Sequence, residues 1–369
     1  MTNKAAEAAY EEIDKINKQE WALEKWKGVK TISVNGLYKS CTDNHISIAI
    51  TPDLQTLISG SNDNKITFWD VETGDFIKCI ENINEDSDFL LFRKPLLIKL
   101  SPDGKFIASV RQNILYLWNY SNLFNLDNCE PISVIKTKGE YNRITAFSFS
   151  CDSEVLAISN GEKIDLYLLG VPEGVRHIKT LWPFDQDEYF DDYDDFNEIE
   201  IDLSISCIAF NRKQESQIAA GFKYWVGDQP FKANIIIWNR YTGEIIKRLE
   251  GHSGITSSID FSSDGQTLVS SGIDGEVKTW SLETCKNLSS FRGHYQLASI
   301  ICSPVQPIVA SGGKDGIINI YHLEIGKKLH SLKYHQFSID SIIFSIDGKL
   351  LISSANNNNI GEIKLWKVI

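Results

Sequence analysis

Residues 251–281 read GHSGITSSIDFSSDGQTLVSSGIDGEVKTWS. This stretch contains three short runs in which apolar and polar residues alternate, at residues 255–261, 267–271 and 276–281. Turns rich in Gly, Asp and Ser separate the runs, and period-two alternation bounded in this way is typical of β-strands. The stretch therefore predicts three successive strands, the third of which carries Trp280.

The same unit recurs along the chain. Turns of the Ser-x-Asp-Gly type follow an apolar run, with clear versions beginning at residues 51, 101, 150, 262 and 345 and weaker ones at 211 and 303. The third run of each unit ends in an aromatic residue, namely Trp69, Trp118, Tyr167, Trp238, Trp280, Tyr321 and Trp366. A fixed period of this kind indicates a repeat architecture.

The spacing of the repeat selects the fold class. Successive terminal aromatic residues lie 49, 49, 71, 42, 41 and 45 residues apart. Four strands in about 40–45 residues are the content of a β-propeller blade, whereas ankyrin and leucine-rich repeats contain helices or shorter periods. Helical periodicity is absent from residues 30–369, so this region is predicted to be all-β.

Several motifs within these units resemble the WD-repeat signature. They are Gly251-His252 with Asp274 and Trp280-Ser281, Gly293-His294 with Asp315 and Tyr321, Phe68-Trp69-Asp70, and the pair His335 and Trp366. The units around Trp118 and Tyr167 lack the Gly-His pair. The sequence is therefore similar to the WD-repeat family over about 340 of its 369 residues. That resemblance implies a seven-bladed β-propeller.

The resemblance also implies a buried hydrogen-bonded chain of four residues in a blade. The positions that match are His252, Ser270 or Ser271, Asp274 and Trp280 in one unit, and His294, Ser311, Asp315 and Tyr321 in the next. A Ser-His-Asp catalytic set is the alternative interpretation. We favour the structural interpretation, because the set recurs from unit to unit and includes the core aromatic residue.

The two ends of the chain complete the ring in this interpretation. The chain stops soon after Trp366, so the seventh blade lacks an outer strand, and the segment Lys30–Asn35 alternates as a strand should. We expect this N-terminal strand to close the propeller. Residues 5–27 predict one amphipathic helix, which packs on the propeller or docks on a partner. The predicted domains are thus a helix at 1–28 and a propeller at 29–369.

The largest departures from the repeat fall near the fourth blade. Residues 185–202 contain ten acidic residues and no basic residue, interleaved with aromatic residues, and a second expansion spans residues 223–233. Both belong to loop types that open on the face called the top in WD-repeat propellers. The predicted partner-binding residues are Asp187, Glu188, Tyr189, Asp191, Asp192, Tyr193, Asp194, Asp195, Phe196, Tyr224, Trp225 and Phe231.

Smaller departures lie elsewhere. Residues 81–88 and 356–359 widen two further top-face connections, and residues 120–131 widen one on the bottom face, where they offer a second possible contact. The acidic loop is a solvated spacer in the simplest alternative. Clustered carboxylates also raise the question of calcium, but the loop lacks the Asp-x-Asp-x-Asp-Gly order and a glycine turn.

Composition excludes several function classes. The chain has 37 basic and 49 acidic residues, a net charge of −12, which disfavours direct nucleic-acid or membrane binding. Its seven cysteines are scattered without a C-x-x-C pair, so neither a disulfide framework nor a zinc site is expected. No apolar run is long enough to span a membrane and no signal peptide is recognisable, so a cytoplasmic location is predicted. Phosphate-binding loops are missing too, and we predict no metal and no cofactor.

Two functions follow from these observations. The first is a non-catalytic interaction module or scaffold that binds a basic or amphipathic protein through the acidic, aromatic top face at blades three and four. The second is a structural subunit of a larger assembly, or a sensor, that docks through its N-terminal helix while the loop is a spacer. An enzyme that uses the central channel is a distant third possibility.

Overall fold

The computed structural model describes residues 26–34, 47–61, 65–80, 97–125, 130–137, 143–172, 174–183, 201–226, 229–230, 233–356 and 361–368. Seven antiparallel sheets account for its strands, and one four-residue helix, α1 (Asn122–Asn125), interrupts the otherwise all-β content. Each sheet is one blade of a propeller. The predicted all-β, seven-bladed architecture is confirmed.

Strand β1 (Trp26–Val34) precedes the first blade. The strands of each blade are given from inner to outer. Blade one contains β2 (Ser47–Ile50), β3 (Thr56–Gly60), β4 (Ile66–Asp70) and β5 (Phe76–Ile80), and blade two contains β6 (Leu97–Leu100), β7 (Phe106–Arg111), β8 (Ile114–Asn119) and β9 (Ser133–Lys136). Blade three contains β10 (Phe147–Phe149), β11 (Val155–Asn160), β12 (Lys163–Val171) and β13 (Gly174–Leu181). Neighbours in sequence are neighbours in each sheet, as short hairpin connections require.

The fourth blade has an additional two-residue strand that pairs with its second strand. Blade four contains β14 (Ile201–Phe210), β15 (Gln217–Val226), the short β16 (Gln229–Pro230), β17 (Ala233–Asn239) and β18 (Ile245–His252). Blade five contains β19 (Thr256–Phe261), β20 (Thr267–Gly272), β21 (Glu276–Ser281) and β22 (Asn287–Arg292). Blade six contains β23 (Leu297–Cys302), β24 (Ile308–Gly313), β25 (Ile318–His322) and β26 (Lys328–Leu332). The expansion predicted at residues 223–233 is thus partly a longer hairpin, built from the ends of β14 and β15.

The seventh sheet contains strands from residues 338–368 and from residues 26–34. Its strands are β27 (Ser338–Phe344), β28 (Leu350–Asn356) and β29 (Gly361–Val368), with β1 beside β29. The antiparallel register of that pair runs from Trp26 opposite Val368 to Val34 opposite Gly361. β1 begins at Trp26, so residues 26–28 are strand, although the sequence assigned them to the helix. The rest of that predicted helix lies outside the described residues.

Apolar side chains fill every interface between neighbouring blades. The structure contains seven such clusters among the described residues, one for each interface. Successive residues of a middle strand enter opposite clusters: Leu57 packs toward the seventh blade and Ile58 toward the second. In the cluster that joins the ends of the ring, Ile48 of the first blade lies with Ile352 and Leu365 of the seventh.

The middle strands are consequently buried on both faces. Strand β24 is buried along its whole length, and β20 is buried at every residue except Thr267. Both faces are buried because each sheet of a propeller is covered by a blade on either side. Ser270 and Ser311 are buried polar residues of these strands, and both are hydrogen-bonded.

Bottom-face turns repeat one hydrogen-bond pattern. Ser262 Oγ donates to Asp264 Oδ1 at 2.6 Å and accepts from the Thr267 amide at 3.0 Å. The same hydroxyl, carboxylate and amide arrangement occurs at the turns that begin at residues 51, 101, 150 and 345. Because each turn satisfies its own polar groups, it fixes the hairpin between the inner and second strands.

The bottom insertion at residues 120–131 packs in part on its own blade. Helix α1 lies within it and places Leu123 in the cluster between the first and second blades, where only 2% of the residue is exposed. The neighbouring Phe124 packs edge-on against Phe68, with ring centroids 5.4 Å apart, and stays 42% exposed. In the described part of this insertion, Phe124 is therefore an exposed apolar side chain that the possible second contact could use, while residues 126–129 lie outside the described residues.

Candidate functional site

The fifth blade contains a continuous polar chain under its top face. Trp280 Nε1 donates to Ser270 Oγ at 2.8 Å, and Ser270 Oγ lies 2.7 Å from His252 Nε2. The other ring nitrogen of His252, Nδ1, lies 3.0 Å from Asp274 Oδ2. The sequence left Ser270 and Ser271 as alternatives, and the structure places Ser270 in the chain.

The donors in this chain run in one direction. The indole N–H donates to the serine hydroxyl, the hydroxyl donates to His252 Nε2, and His252 Nδ1–H donates to the Asp274 carboxylate. Ser270 is fully buried, so its oxygen cannot reach a substrate carbonyl. A nucleophilic serine requires such access. The chain therefore links the strands to the top turn.

Asp274 joins the chain to the backbone of the top turn. Its carboxylate accepts from the amides of Ser253 and Glu276, both at 3.1 Å. Burial alone would raise the pKa of Asp274, but the bond and charge of His252 together with these amides outweigh it and lower the pKa to about 2. A Cβ at Gly272 would lie 2.6 Å from Asp274 Oδ1, so only glycine leaves room for the chain here.

The sixth blade forms a variant of the same chain. His294 Nδ1 lies 3.0 Å from Asp315 Oδ1, and His294 Nε2 lies 2.9 Å from Ser311 Oγ. The Tyr321 hydroxyl comes close to Ser311 and Asn319 but makes no hydrogen bond of acceptable geometry with a described residue. Asn319 takes the fourth place, because its Nδ2 lies 3.0 Å from His294 Nε2. The sequence analysis did not identify Asn319, because the equivalent position of the fifth blade is not an asparagine.

The seventh blade has a complete chain with a substituted acid. His335 Nε2 lies 2.6 Å from Ser353 Oγ, which also accepts from Trp366 Nε1 at 2.9 Å. His335 Nδ1 lies 2.6 Å from Glu362 Oε1. Burial lowers the pKa of His335 more than Glu362 raises it, so the imidazole is neutral at pH 7. The sequence predictions named neither Ser353 nor Glu362, because the acid stands four residues before the tryptophan instead of six.

The hydrogen bond between tryptophan and serine also occurs in two blades that lack the histidine chain. Trp69 Nε1 donates to Ser59 Oγ at 2.9 Å, and Trp118 Nε1 donates to Ser109 Oγ at 3.1 Å. In the fourth blade the equivalent strand position is an alanine, and Trp238 Nε1 instead donates to the Trp182 carbonyl at 2.8 Å. Every described blade tryptophan at this position thus has a hydrogen-bond partner, as burial demands.

Large side chains project from the top face beside the polar chains. Tyr295 follows His294 and is 86% exposed, while Tyr334 precedes His335 and is 67% exposed. Ile273, which precedes Asp274, is 44% exposed. The Tyr334 ring also packs on Trp366, with centroids 5.6 Å apart. These exposed apolar groups are held on a rigid support, which is the arrangement of an interaction surface.

The predicted acidic, aromatic surface lies mostly outside the described residues. That holds for residues 187–196 and for Phe231. Tyr224 and Trp225 are described as part of β15, opposite Leu203 and Asp202 of β14. In sequence, residues 187–196 lie between β13, an outer strand, and β14, the inner strand of the fourth blade.

Comparison with known proteins defines the class. The WD domain, G-beta repeat family matches residues 35–70, 243–281, 285–322 and 326–360. These segments include the three inner strands of blades one, five and six, and the two inner strands β27 and β28 of blade seven. Together with the seven sheets, the four repeats confirm the predicted WD-repeat seven-bladed β-propeller.

Several characterised proteins share part of this sequence. Apoptotic protease-activating factor 1 of Homo sapiens is 30% identical over 150 residues, transcription factor unc-37 of Caenorhabditis elegans is 30% identical over 134, and Protein groucho of Drosophila melanogaster is 26% identical over 125. The matches cover 38%, 36% and 34% of this chain but only 12%, 21% and 17% of those proteins. The chain therefore matches a minor part of each relative.

Two further features bear on the site. Within the described ranges, His, Cys, Asp and Glu side chains form no cluster of three or more that suits a metal ion. No helix in the same part of the chain is long and apolar enough to cross a membrane.

A paired substitution tests the polar chain of the fifth blade. Ser270→Ala should lower the free energy of unfolding by about 2–3 kcal/mol, because it leaves both Trp280 Nε1 and His252 Nε2 buried without a partner. Ser271→Ala is the matched control, since Ser271 is equally buried but bonds only to the Ser257 side chain in the described structure. We expect the control to cost about 1 kcal/mol or less in urea unfolding. Equal losses would contradict the assigned chain.

Asp274 should make stability depend on acid pH. The pKa of Asp274 in the folded state is about 2, below its ordinary value of 3.8. At pH values between these two, the folded state therefore binds fewer protons than the unfolded state. The resulting stabilisation of about 2 kcal/mol is present above pH 4 and is lost as the pH falls toward 2. Asp274→Asn should therefore destabilise the protein at pH 7, and the difference from wild type should shrink with falling pH. A difference that stays constant from pH 6 to pH 2 would refute this assignment.

Proposed function

We propose that this protein is a non-catalytic interaction module that binds a protein partner through the top face of its propeller. The observation that carries the proposal is the pair of exposed tyrosines, Tyr295 and Tyr334, set beside the buried histidine chains. Aromatic anchors on a rigid support bind with little loss of conformational entropy. The Ser-His-Asp sets are enclosed, which favours binding over catalysis.

The charges of the top face indicate what the partner presents. The segment at residues 185–202 supplies ten acidic residues where it enters the fourth blade, and without them the net charge would be −2 instead of −12. The exposed cations Arg292, Lys314 and Lys333 flank the two tyrosines in sequence or on the adjacent top turn. A partner that fits carries a basic stretch for the fourth blade, and apolar side chains with an acidic group for blades five to seven.

The relatives support the general part of this proposal. A protein-interaction role is consistent with the WD-repeat match, and the matched segments of the relatives are parts of much longer chains. The proposed role here is that of a platform or scaffold, with a cytoplasmic location. No step of this proposal needs a cofactor, nucleic acid or membrane.

Quantitative affinity capture of the full chain tests the surface. Tyr295→Ser combined with Tyr334→Ser should reduce the recovery of specific partners about tenfold or more, because each change removes an aromatic anchor. Replacement of residues 185–200 by a neutral Gly/Ser linker of equal length, which leaves β14 intact, should reduce the recovery of basic partners and leave the melting temperature unchanged.

The control exchanges exposed apolar residues on the bottom turns of the same two blades. Val305→Ser combined with Ile346→Ser alters side chains that are each 56% exposed, at the opposite end of the propeller. This variant should capture partners as the wild type does. If the bottom variant loses the same partners, or if neither top variant loses any, the top-face proposal fails.

We infer in addition that β1 closes the propeller. Its register with β29 spans the length of the outer edge of the seventh blade, which would otherwise expose unpaired amide and carbonyl groups. The role proposed for β1 is distinct from that of the predicted N-terminal helix. In the alternative function, that helix docks the protein into a larger assembly.

Two truncations distinguish the strand from the helix. A chain that begins at residue 35 lacks β1 and should be less stable than the full chain by at least about 2 kcal/mol, because the edge of β29 loses its backbone partners. A chain that begins at residue 26 retains β1 and should unfold as the full chain does. Equal stability of the two truncated chains would overturn closure by β1. A change of sedimentation coefficient in the chain that begins at residue 26 would support assembly through the helix.

A further inference from the structure

The inner strands surround a central channel whose lower part is a cavity of about 460 Å³. It is bounded by all seven inner strands and opens near the bottom turns at Pro102, Cys151 and Arg212. A space of this size is in the range of small-molecule sites.

One level of the channel wall combines a lysine with an aspartate. In each blade the residue two positions before the bottom turn lines this level, namely Ala49, Lys99, Ser148, Ala209, Asp260, Ile301 and Ile343. Lys99 and Asp260 are the only charged members, and they come from the second and fifth blades. The ring therefore brings together two charges that lie 161 positions apart in the chain.

Asp260 is fully engaged by its own surroundings. Its Oδ2 accepts from the Cys302 amide at 2.8 Å, and its Oδ1 accepts from the Phe261 amide at 2.9 Å. Arg212 Nη2 lies 3.8 Å from Oδ2 at the mouth of the cavity. The charge of Asp260 is thus balanced by Arg212 and used to join the fifth blade to the sixth.

Lys99 has no such partner. Among the described residues, no carboxylate lies within 4 Å of its ammonium, and its closest recorded contact is the face of the Phe147 ring, 5.6 Å from Nζ to the centroid. The side chain of Lys99 is solvent-exposed in the channel wall. Desolvation by the neighbouring protein atoms lowers the pKa of the ammonium, more than Asp260 and Cys207 raise it.

The charged residues of the cavity lining are Lys99, Arg212 and Asp260, which sum to +1 in a chain of net charge −12. Next to Lys99 around the ring, Ser148 occupies the equivalent position and bonds only at 3.4 Å to the Phe149 carbonyl. An ammonium and a hydroxyl at one level of an enclosed cavity are the donors that bind an oxyanion.

We propose that the central channel binds a small oxyanion, a phosphate or a carboxylate, with Lys99 as the principal donor and Ser148 as a second donor. The bound anion neutralises the unpaired ammonium of Lys99. Asp260 sits at the same level, but its charge is already balanced by Arg212 and by the amides of Cys302 and Phe261. This site lies inside the ring and is independent of the proposed top-face surface.

Calorimetric titration of the full chain with sodium phosphate tests the site. Ionic strength is held constant with sodium chloride, and sodium acetate is titrated in parallel as the carboxylate probe. Lys99→Met keeps the length of the side chain and removes its charge, so it should weaken binding of the preferred anion by about tenfold or more. Lys99→Arg should bind nearly as the wild type does.

Lys349→Met is the matched control, because Lys349 lies on a bottom turn outside the channel wall level and its side chain is 74% exposed. The control should bind as the wild type does, whereas equal losses in Lys99→Met and Lys349→Met would show adventitious surface binding and overturn the proposal. Absence of binding by the wild type to both anions would also overturn it.

If Lys99→Met fails to fold, the NMR chemical shift of the Lys99 ε-methylene group in the wild-type protein provides the test. This shift should change when phosphate or acetate is added, and an unchanged shift rejects the site. A preference for phosphate or for acetate identifies the source of the anion.

Discussion

Each sheet of this protein has two apolar faces, and the rest of the structure depends on covering both. A flat stack of sheets would leave its first and last members half bare, whereas a ring gives every sheet two neighbours. The cluster in which Ile48 meets Ile352 and Leu365 is the contact that turns the row of blades into a ring. Because all the interfaces share one axis, the inner strands enclose a channel and the turns gather on two opposite faces.

The polar chains give hydrogen-bond partners to polar groups that are buried between the blades. The top turns of blades five and seven lie close to buried tryptophans, and the chains from Trp280 to Asp274 and from Trp366 to Glu362 make that connection through hydrogen bonds. In blade six His294 bonds to Ser311 and Asp315, so the turns that bear Tyr295 and Tyr334 are both held to the strands. A surface built in this way suits recognition, since its shape does not have to be formed on binding.

The sequence predicted the features that repeat and missed those that depend on the ring. The blade aromatics and the Ser-Asp turns recur at regular intervals, so the architecture was visible in them. Burial of Leu57 and Ile58 on opposite faces was not, because alternation by itself suggests one covered face. Asn319 and Glu362 were missed because each replaces a chain member from a different position. Lys99 and Asp260 meet only through the closed ring, and no local pattern connects them.

Energetic coupling between the first and seventh blades tests the closed ring most directly. Ile48 and Ile352 lie in the same buried cluster although 304 positions separate them in the chain. A double-mutant cycle with Ile48→Ala and Ile352→Ala, measured by urea unfolding, should give a coupling energy of about 0.5 kcal/mol or more, because residues packed against each other are not additive. Strict additivity of the two losses would mean that the blades do not meet, and it would contradict the closed propeller.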